Sequence, residues 1–243
     1  MLLFGNYPKT LSLAPYFLQS RALYPNWGSV TLTGKNGRQR DKRLFTLPKI
    51  EVGNLRFRNL DAIINTAFPD SIPTGTTGSP MLGGYNWKID YDHTEVLIAK
   101  SPFSAKQVFT TITYQQEAYP AVVISLAGIN SEFIVDLGSG AGLLVNTGSA
   151  LGRAVLEQYD IEPSRTVITS YRGRQLVDTV YEVNVPSLVF NGIKLRAQKV
   201  RLSSAAAHNL VGTAFLSNYN VILNNSRKKK VPNELILEKR RQH

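Results

Sequence analysis

The segment from Phe133 to Gly142 has a pattern that suits acid–base chemistry. An apolar run brings Asp136 to the end of a predicted strand, and the small residues that follow allow the backbone to turn closely around its side chain. A carboxylate at such a turn can accept bonds from backbone N–H groups, which tune its pKa. Asp136 is therefore the candidate catalytic residue. The alternative is a structural carboxylate that only anchors its own turn.

These ten residues resemble the cofactor-binding first loop of class I methyltransferases. That resemblance implies S-adenosylmethionine as a cofactor and methyl transfer as a remote alternative function. The methyltransferase fold needs alternating helices and parallel strands after the loop. Here one helical pattern follows, at residues 149–159, and strand patterns then continue almost to the end. The order of elements disfavours a methyltransferase.

The same segment resembles the catalytic loop of retropepsin-like aspartic peptidases, where a strand ends in Asp-Thr/Ser-Gly-Ala/Ser. Residues 133–139 match that strand and loop, with Leu137 where Thr or Ser is usual. Four further features follow in the family's order: a strand, a short helix, a flap hairpin, and a late signature of two apolar residues and a glycine before Phe-Leu and a closing strand. They lie at residues 143–145, 149–159, 169–175 and 208–223.

This resemblance implies a mainly β fold of two pseudo-repeated aspartic-peptidase-like β lobes with one or two short helices. It implies an aspartic-type endopeptidase that hydrolyses a peptide bond with activated water and needs neither a metal nor an organic cofactor. The partner would be a polypeptide substrate, or a peptide ligand if the chain is a catalytically inactive pseudo-peptidase.

The resemblance also assigns roles to particular residues. They are the catalytic Asp136, the active-site loop of Leu137, Gly138, Ser139 and Gly140, the flap and substrate-binding residues Tyr171, Arg172 and Gly173, and Gly212, which would permit close packing behind the loop. Tight glycine-rich turns and exposed hairpin tips also occur without any function. That alternative stays open for Ser139 and the flap.

Landmarks of the second half recur in the first half in the same order, which predicts two copies of one β unit. The matched segments are Gly37-Arg38-Gln39 with Gly173-Arg174-Gln175, residues 53–57 with 191–195, and residues 85–90 with 219–224. The first copy also retains Met81-Leu82-Gly83 as a counterpart of Leu210-Val211-Gly212.

These matches divide the chain into two lobes. We predict a degenerate or truncated first lobe at residues 1–100, a connecting segment at 101–116, and a second lobe carrying Asp136 at 117–243. The second lobe begins with a hairpin-like lead at residues 119–135 for which the first lobe has no counterpart.

An aspartic peptidase needs two carboxylates that share a proton, because one acts as a base toward water while the other polarises the scissile carbonyl. The best alignment places Leu3-Phe4-Gly5 at Asp136-Leu137-Gly138, so Leu3 stands where the second Asp would be. Three explanations stay open. The chain is a pseudo-peptidase that keeps the cleft for binding, a homodimer mate supplies the second Asp, or a segment before Met1 supplies it.

The composition excludes several other chemistries. The 243 residues contain no Cys, which rules out disulfides, thiolate nucleophiles and Cys-ligated metals, and the three His are far apart, so we predict no metal site. The net charge is +11, but the densest basic runs lie in a predicted turn at 227–230 and in the tail at 239–241. Because no aromatic residues alternate with them, we predict no nucleic-acid partner.

The sequence leaves the compartment unknown. No apolar run approaches the roughly 20 residues of a transmembrane helix, so we predict no membrane span. Residues 1–8 lack the basic and long apolar regions of a signal peptide. The protein would be exported if its N-terminus is a trimmed one.

Overall fold

The computed structural model describes residues 2–4, 11–19, 24–33, 39–53, 55–64, 75–77, 84–115, 119–171, 174–226 and 231–241. Within these residues the chain is mainly β, with three sheets and three short helices. The strands are β1 (Leu2–Phe4), β2 (Leu11–Leu13), β3 (Tyr24–Thr33), β4 (Gln39–Val52), β5 (Leu55–Ile64), β6 (Gly75–Thr77), β7 (Asn86–Asp90), β8 (Glu95–Ala99), β9 (Val108–Tyr114), β10 (Ala121–Leu126), β11 (Ile129–Asp136), β12 (Leu143–Asn146), β13 (Arg165–Tyr171), β14 (Arg174–Phe190), β15 (Ile193–Ser203), β16 (Leu210–Gly212), β17 (Tyr219–Asn224) and β18 (Asn233–Lys239). The helices are α1 (Tyr16–Gln19), α2 (Ala150–Tyr159) and α3 (Thr213–Leu216).

Six strands of the second half close into a barrel. Their order is β10-β11-β16-β12-β15-β14, and β14 pairs back to β10 at Ile124 with Phe190 and Ser125 with Val189. β13 extends β14 outside the barrel as an antiparallel hairpin. Closure leaves the barrel strands without an open edge. The barrel also excludes the methyltransferase alternative, which requires a doubly wound parallel sheet after Asp136.

The alternation of apolar residues places one face of each barrel strand in a common core. In β10, Val122, Ile124 and Leu126 are buried, whereas Val123 between them is 51% exposed. The predicted helix is confirmed as α2. The hydroxyl of Ser149 caps it by accepting the N–H of Gly152 at 3.0 Å.

The sheet of the first half has the strand order of the barrel. β1-β6-β2-β5-β4-β3 corresponds to β11-β16-β12-β15-β14-β13, and each of the five pairings has the same parallel or antiparallel sense. Leu11, Leu13, Leu47, Phe57 and Ala62 form its separate apolar cluster. Among the described strands, no counterpart of β10 closes this sheet.

The register corrects the alignment of the two strand ends. Asp136 pairs with Gly212 across parallel strands, as Phe4 pairs with Thr77. Phe4 therefore lies at the position of Asp136, one residue later than Leu3, which the sequence alignment had placed there. The alignment failed because β1 is only three residues long and shares no residue type with the end of β11.

A second part of that alignment also changes. β6 occupies the sheet position that β16 has in the barrel. The predicted counterpart of Leu210-Val211-Gly212, Met81-Leu82-Gly83, lies outside the described residues. Gly75–Thr77 takes its place.

A third sheet, in the order β8-β7-β17-β18-β9, joins strands from both halves. In the antiparallel pair β7 and β17, Lys88 lies opposite Ile222, with Trp87–Leu223 and Ile89–Val221 on either side. These are the residues that the repeat matched as counterparts. If each residue is replaced by its counterpart in the other copy, Trp87–Leu223 becomes Ile89–Val221, and Lys88–Ile222 stays the same. This is the register expected of two copies related by a two-fold axis. The division of the chain at residues 100 and 117 stays a prediction.

Candidate functional site

Asp136 is the last residue of β11 and lies where the chain leaves the barrel wall. Its Oδ1 accepts the N–H of Gly138 at 2.8 Å, and its carbonyl accepts the N–H of Ser139 at 3.2 Å. One carboxylate oxygen therefore caps the turn of its own loop. The other, Oδ2, forms no hydrogen bond with any residue that the structure describes. The half-buried side chain thus anchors the turn and still has one oxygen for a water or a ligand.

The loop after Asp136 is fixed to the end of β16 and the start of α3 by hydrogen bonds to its carbonyls. The carbonyl of Ser139 accepts both the N–H of Thr213 at 2.7 Å and its Oγ1–H at 2.9 Å. The carbonyl of Gly142 accepts the N–H of Gly212 at 2.8 Å. These bonds restrain the position of the loop and, with it, the orientation of the Asp136 carboxylate.

Gly212 lies directly behind this loop. A Cβ at this position would be 2.4 Å from the carbonyl oxygen of Ala141 and 2.6 Å from that of Ser139. No side chain fits there without moving the loop backbone. At Gly140, in contrast, an added Cβ would meet no atom within 4 Å.

Leu137 occupies the position where the catalytic loop that this segment resembles has Thr or Ser. Its side chain packs against the barrel core. It has no hydroxyl to donate to a neighbouring loop. The loop depends instead on the bonds from Thr213 and Gly212.

Tyr119 lies across from Asp136 on the neighbouring segment. The antiparallel register of β10 and β11 continues beyond the end of β10, because the N–H of Val135 donates to the carbonyl of Pro120 at 2.8 Å. Continued by one residue, this register brings Tyr119 opposite Asp136 at a non-hydrogen-bonded position, where opposite side chains approach most closely. Burial raises the pKa of the Tyr119 phenol, and the negative charge of Asp136 raises that pKa further.

No second carboxylate is hydrogen-bonded to Asp136 within the described part of the chain. The equivalent position of the first half holds Phe4, which has no titratable group. A dyad of two Asp residues is therefore not formed among the described residues of one chain.

The predicted flap corresponds to the outer hairpin, which β13 and β14 form. Tyr171 ends β13 and pairs with Arg174 at the start of β14, while Arg172 and Gly173 lie outside the described residues. Below the tip, Ile168 and Val177 are cross-strand partners that are 60% and 54% exposed. The hairpin thus presents an apolar pair to solvent.

A cleft of about 810 Å³ lies elsewhere, on the polar face of the third sheet, which is the central sheet formed by β8, β7, β17, β18 and β9. Its buried carboxylates already have partners. Glu238 contacts Lys88 at 2.8 Å, and Asp92 contacts Arg240 at 2.9 Å. Asp90, His93 and Glu95 bring three potential metal ligands within 4.8 Å of one another. Oδ1 of Asp90, however, already accepts two backbone N–H groups and lies 3.1 Å from Nδ1 of His93.

No family model and no curated protein matches the chain. Among solved structures, the fold is similar to a retropepsin-like aspartic protease from Rickettsia conorii, with 15% sequence identity and a TM-score of 0.36. The similarity covers 53% of this chain and 97% of that one. It concerns the fold and no activity. None of the helices in the described part of the chain is long and apolar enough to cross a bilayer.

Sequence reasoning missed Tyr119 and Thr213 as parts of the site. A signal for Tyr119 was present in the predicted hairpin. If the turn falls at Ala127 and Gly128, counting outward from it pairs residue 119 with residue 136. Thr213 carries no comparable signal, because its contact depends on how α3 meets the loop.

Proposed function

We propose that the protein is an aspartic-type endopeptidase in which Asp136 activates the water that attacks a peptide bond. The supporting observation is the strand-end carboxylate of Asp136, which has one oxygen engaged by its turn and one directed to no described partner. The loop that carries it is held by four hydrogen bonds from the β16–α3 junction: those from Gly212, Ala214 and, twice, Thr213. A fixed carboxylate of this kind suits general-base catalysis.

The two-fold register of the central sheet bears on how the site is completed. In a symmetric homodimer, β17 would pair with the β17 of a second molecule. In this chain, β7 of the first half occupies that position beside β17. The shared strand order of the two halves supports an internal repeat. We therefore propose that the first half replaces the homodimer mate and that the site works within one chain.

An inactive peptide-binding protein is the second candidate, and the residue at the equivalent strand end favours it. Phe4 lies where a dyad would place the second carboxylate. A chain with one carboxylate and no other proton donor would keep its peptide-binding surface but lose efficient hydrolysis. Such a protein would bind an extended peptide along the outer hairpin by sheet-edge pairing.

The deciding experiment is cleavage of a denatured protein substrate such as unfolded casein, measured from pH 3 to pH 9. We expect cleavage by the wild type, and its loss in Asp136→Asn. Asp160→Asn is the matched control, because Asp160 caps the C-terminus of α2 in the left-handed conformation, which Asn also tolerates.

The outcomes separate the two candidates. Cleavage that survives Asp136→Asn contradicts the peptidase assignment. Binding of casein peptides without any cleavage, measured by fluorescence anisotropy, supports the inactive peptide-binding protein instead.

A further inference from the structure

We propose that Tyr119 is the second catalytic group of this site. Its phenol donates a hydrogen bond to the oxygen of the scissile carbonyl, the role that the protonated carboxyl has in an aspartic dyad. This inference rests on the proposed peptidase function and deepens it by naming the residue that makes a single carboxylate sufficient.

The position of Tyr119 is set by backbone pairing. The bond from Val135 N–H to the carbonyl of Pro120 fixes the hydrogen-bonded pair next to Tyr119 and Asp136. At the following non-hydrogen-bonded pair, Cβ atoms of opposite residues are about 4.5–5.5 Å apart and lie on the same face. The phenol and the carboxylate therefore share one face of the β10–β11 hairpin, and a peptide carbonyl can approach both.

The solvent exposure of Tyr119 also fits a role toward a ligand. Tyr119 is 40% exposed. A tyrosine that served only to fill the core would be covered, as Phe133 and Phe190 of the barrel are.

Two hydroxyls of the neighbouring loop and helix bond to the backbone of the loop. Oγ1 of Thr213 donates to the carbonyl of Ser139, and Oγ of Ser139 accepts the N–H of Ala141 at 3.3 Å. Leu137 has no donor. Tyr119, in contrast, carries its hydroxyl on the same face of the β10–β11 hairpin as the Asp136 side chain.

The chemical step balances without any further reactant. Asp136 takes a proton from water, and the water oxygen forms a bond to the carbonyl carbon while the carbonyl π electrons move to oxygen. The phenol of Tyr119 stabilises that oxyanion by hydrogen bonding and keeps its own proton. The C=O bond then re-forms, the C–N bond breaks, and Asp136 returns its proton to the leaving nitrogen.

A phenol and a carboxyl predict different pH profiles. In a dyad of two carboxylates, activity falls when the second one loses its proton. The phenol keeps its proton to alkaline pH, because burial and then the charge of Asp136 raise the pKa of Tyr119. Among the described residues, Asp136 is the charged group that acts on this phenol. The wild-type kcat should therefore stay level through neutral pH and decline only at alkaline pH.

The test compares Tyr119→Phe with wild type on a fluorogenic peptide derived from a casein cleavage site. We expect kcat to fall by about 10²–10³-fold, the usual effect of losing one oxyanion donor, with KM nearly unchanged. Tyr219→Phe is the matched control. It also removes a phenol oxygen from a partly buried tyrosine, but one whose raised pKa reflects burial alone.

A second variant guards against a folding defect in Tyr119→Phe. Fluorotyrosine at position 119 keeps the shape of the side chain and makes the phenol more acidic. The alkaline decline in kcat should then move to lower pH. An unmoved decline, or full kcat in Tyr119→Phe, overturns the role of Tyr119 while leaving the peptidase assignment intact. A wild type that cleaves nothing overturns the peptidase assignment and this inference with it.

Discussion

Asp136 and Gly212 are register partners on the parallel strands β11 and β16, so the glycine lies directly beside the end of the strand that carries the carboxylate. Because Gly212 has no side chain, the carbonyls of Ser139 and Ala141 in the loop can lie close against its backbone. The position of the carboxylate thus depends on a residue that has no functional group.

Replacing Gly212 with Ala should destabilise the protein. The added Cβ would meet two backbone carbonyl oxygens at 2.4 and 2.6 Å, and main-chain atoms cannot yield as a flexible side chain can. We expect a loss of about 1–3 kcal/mol in the free energy of unfolding, measured by urea denaturation. Gly140→Ala, in the same loop but with open space for its Cβ, is the control for stability. Equal stability of the two variants would contradict the packing role of Gly212.

The exposed pair on the outer hairpin should affect substrate binding rather than folding. Replacing Ile168 and Val177 with Thr removes apolar surface that is already in contact with water. We expect KM for a peptide substrate to rise several-fold, since about 0.8 kcal/mol is lost for each buried CH₂ group. Val123→Thr, at a 51% exposed position of β10, provides the matched control. An unchanged KM in the double variant would argue against a flap role.

Lys88 should be the most sensitive charged residue of the central sheet. Its Nζ lies 2.8 Å from Glu238, whose side chain is only 5% exposed. Lys88→Met would leave a buried carboxylate without its cation, at a cost of about 3–5 kcal/mol. Lys199→Met breaks an exposed pair with Glu182 and should cost less than about 1 kcal/mol. Thermal melts of both variants test the contrast, and similar melting temperatures would contradict it.

Acid should weaken the same sheet. Burial alone would raise the pKa of Glu238, but the bonds from Lys88 and from the backbone N–H of Lys106 outweigh it and lower the pKa below 4.5. A carboxyl with a lowered pKa in the folded state adds stability above its unfolded pKa and loses it as the pH falls further. Urea midpoints should therefore be level above about pH 4.5 and fall below it. In the Lys88→Met/Glu238→Gln variant, this decline should be smaller.

The protein should be a monomer in solution. β7 already fills the two-fold position beside β17 that a second molecule would otherwise occupy. Sedimentation velocity should give a mass near 27.0 kDa. A stable dimer in which Asp136→Asn subunits inactivate wild-type subunits on mixing would instead support a site shared between molecules.

Local patterns were enough to predict most individual elements. The strand predicted at residues 121–126 coincides with β10, and the helix predicted from residue 149 begins with Ser149 as its cap. Both signals depend on neighbouring residues: a run of apolar, β-branched residues in one case and apolar residues on one helical face in the other. The position of Asp136 at a strand end was predictable for the same reason.

Pairing between distant segments was not predictable in the same way. The equivalence of Phe4 with Asp136 depends on which residues of β1 and β6 face each other, and three-residue strands carry too little pattern to fix that register. The contact of Thr213 with the loop likewise depends on tertiary packing. Tyr119 lies between these cases, because its pairing follows from one hairpin turn.

The central sheet also constrains how the protein can be made. Lys88 and Glu238 are 150 residues apart in sequence, and β7 gains its neighbour β17 only when the second half has been synthesised. During translation, the edge of β7 that will face β17 therefore stays open and available for wrong pairing. We expect the first half to emerge from the ribosome unable to complete its own sheet, and the last strands to complete the folding of both halves together.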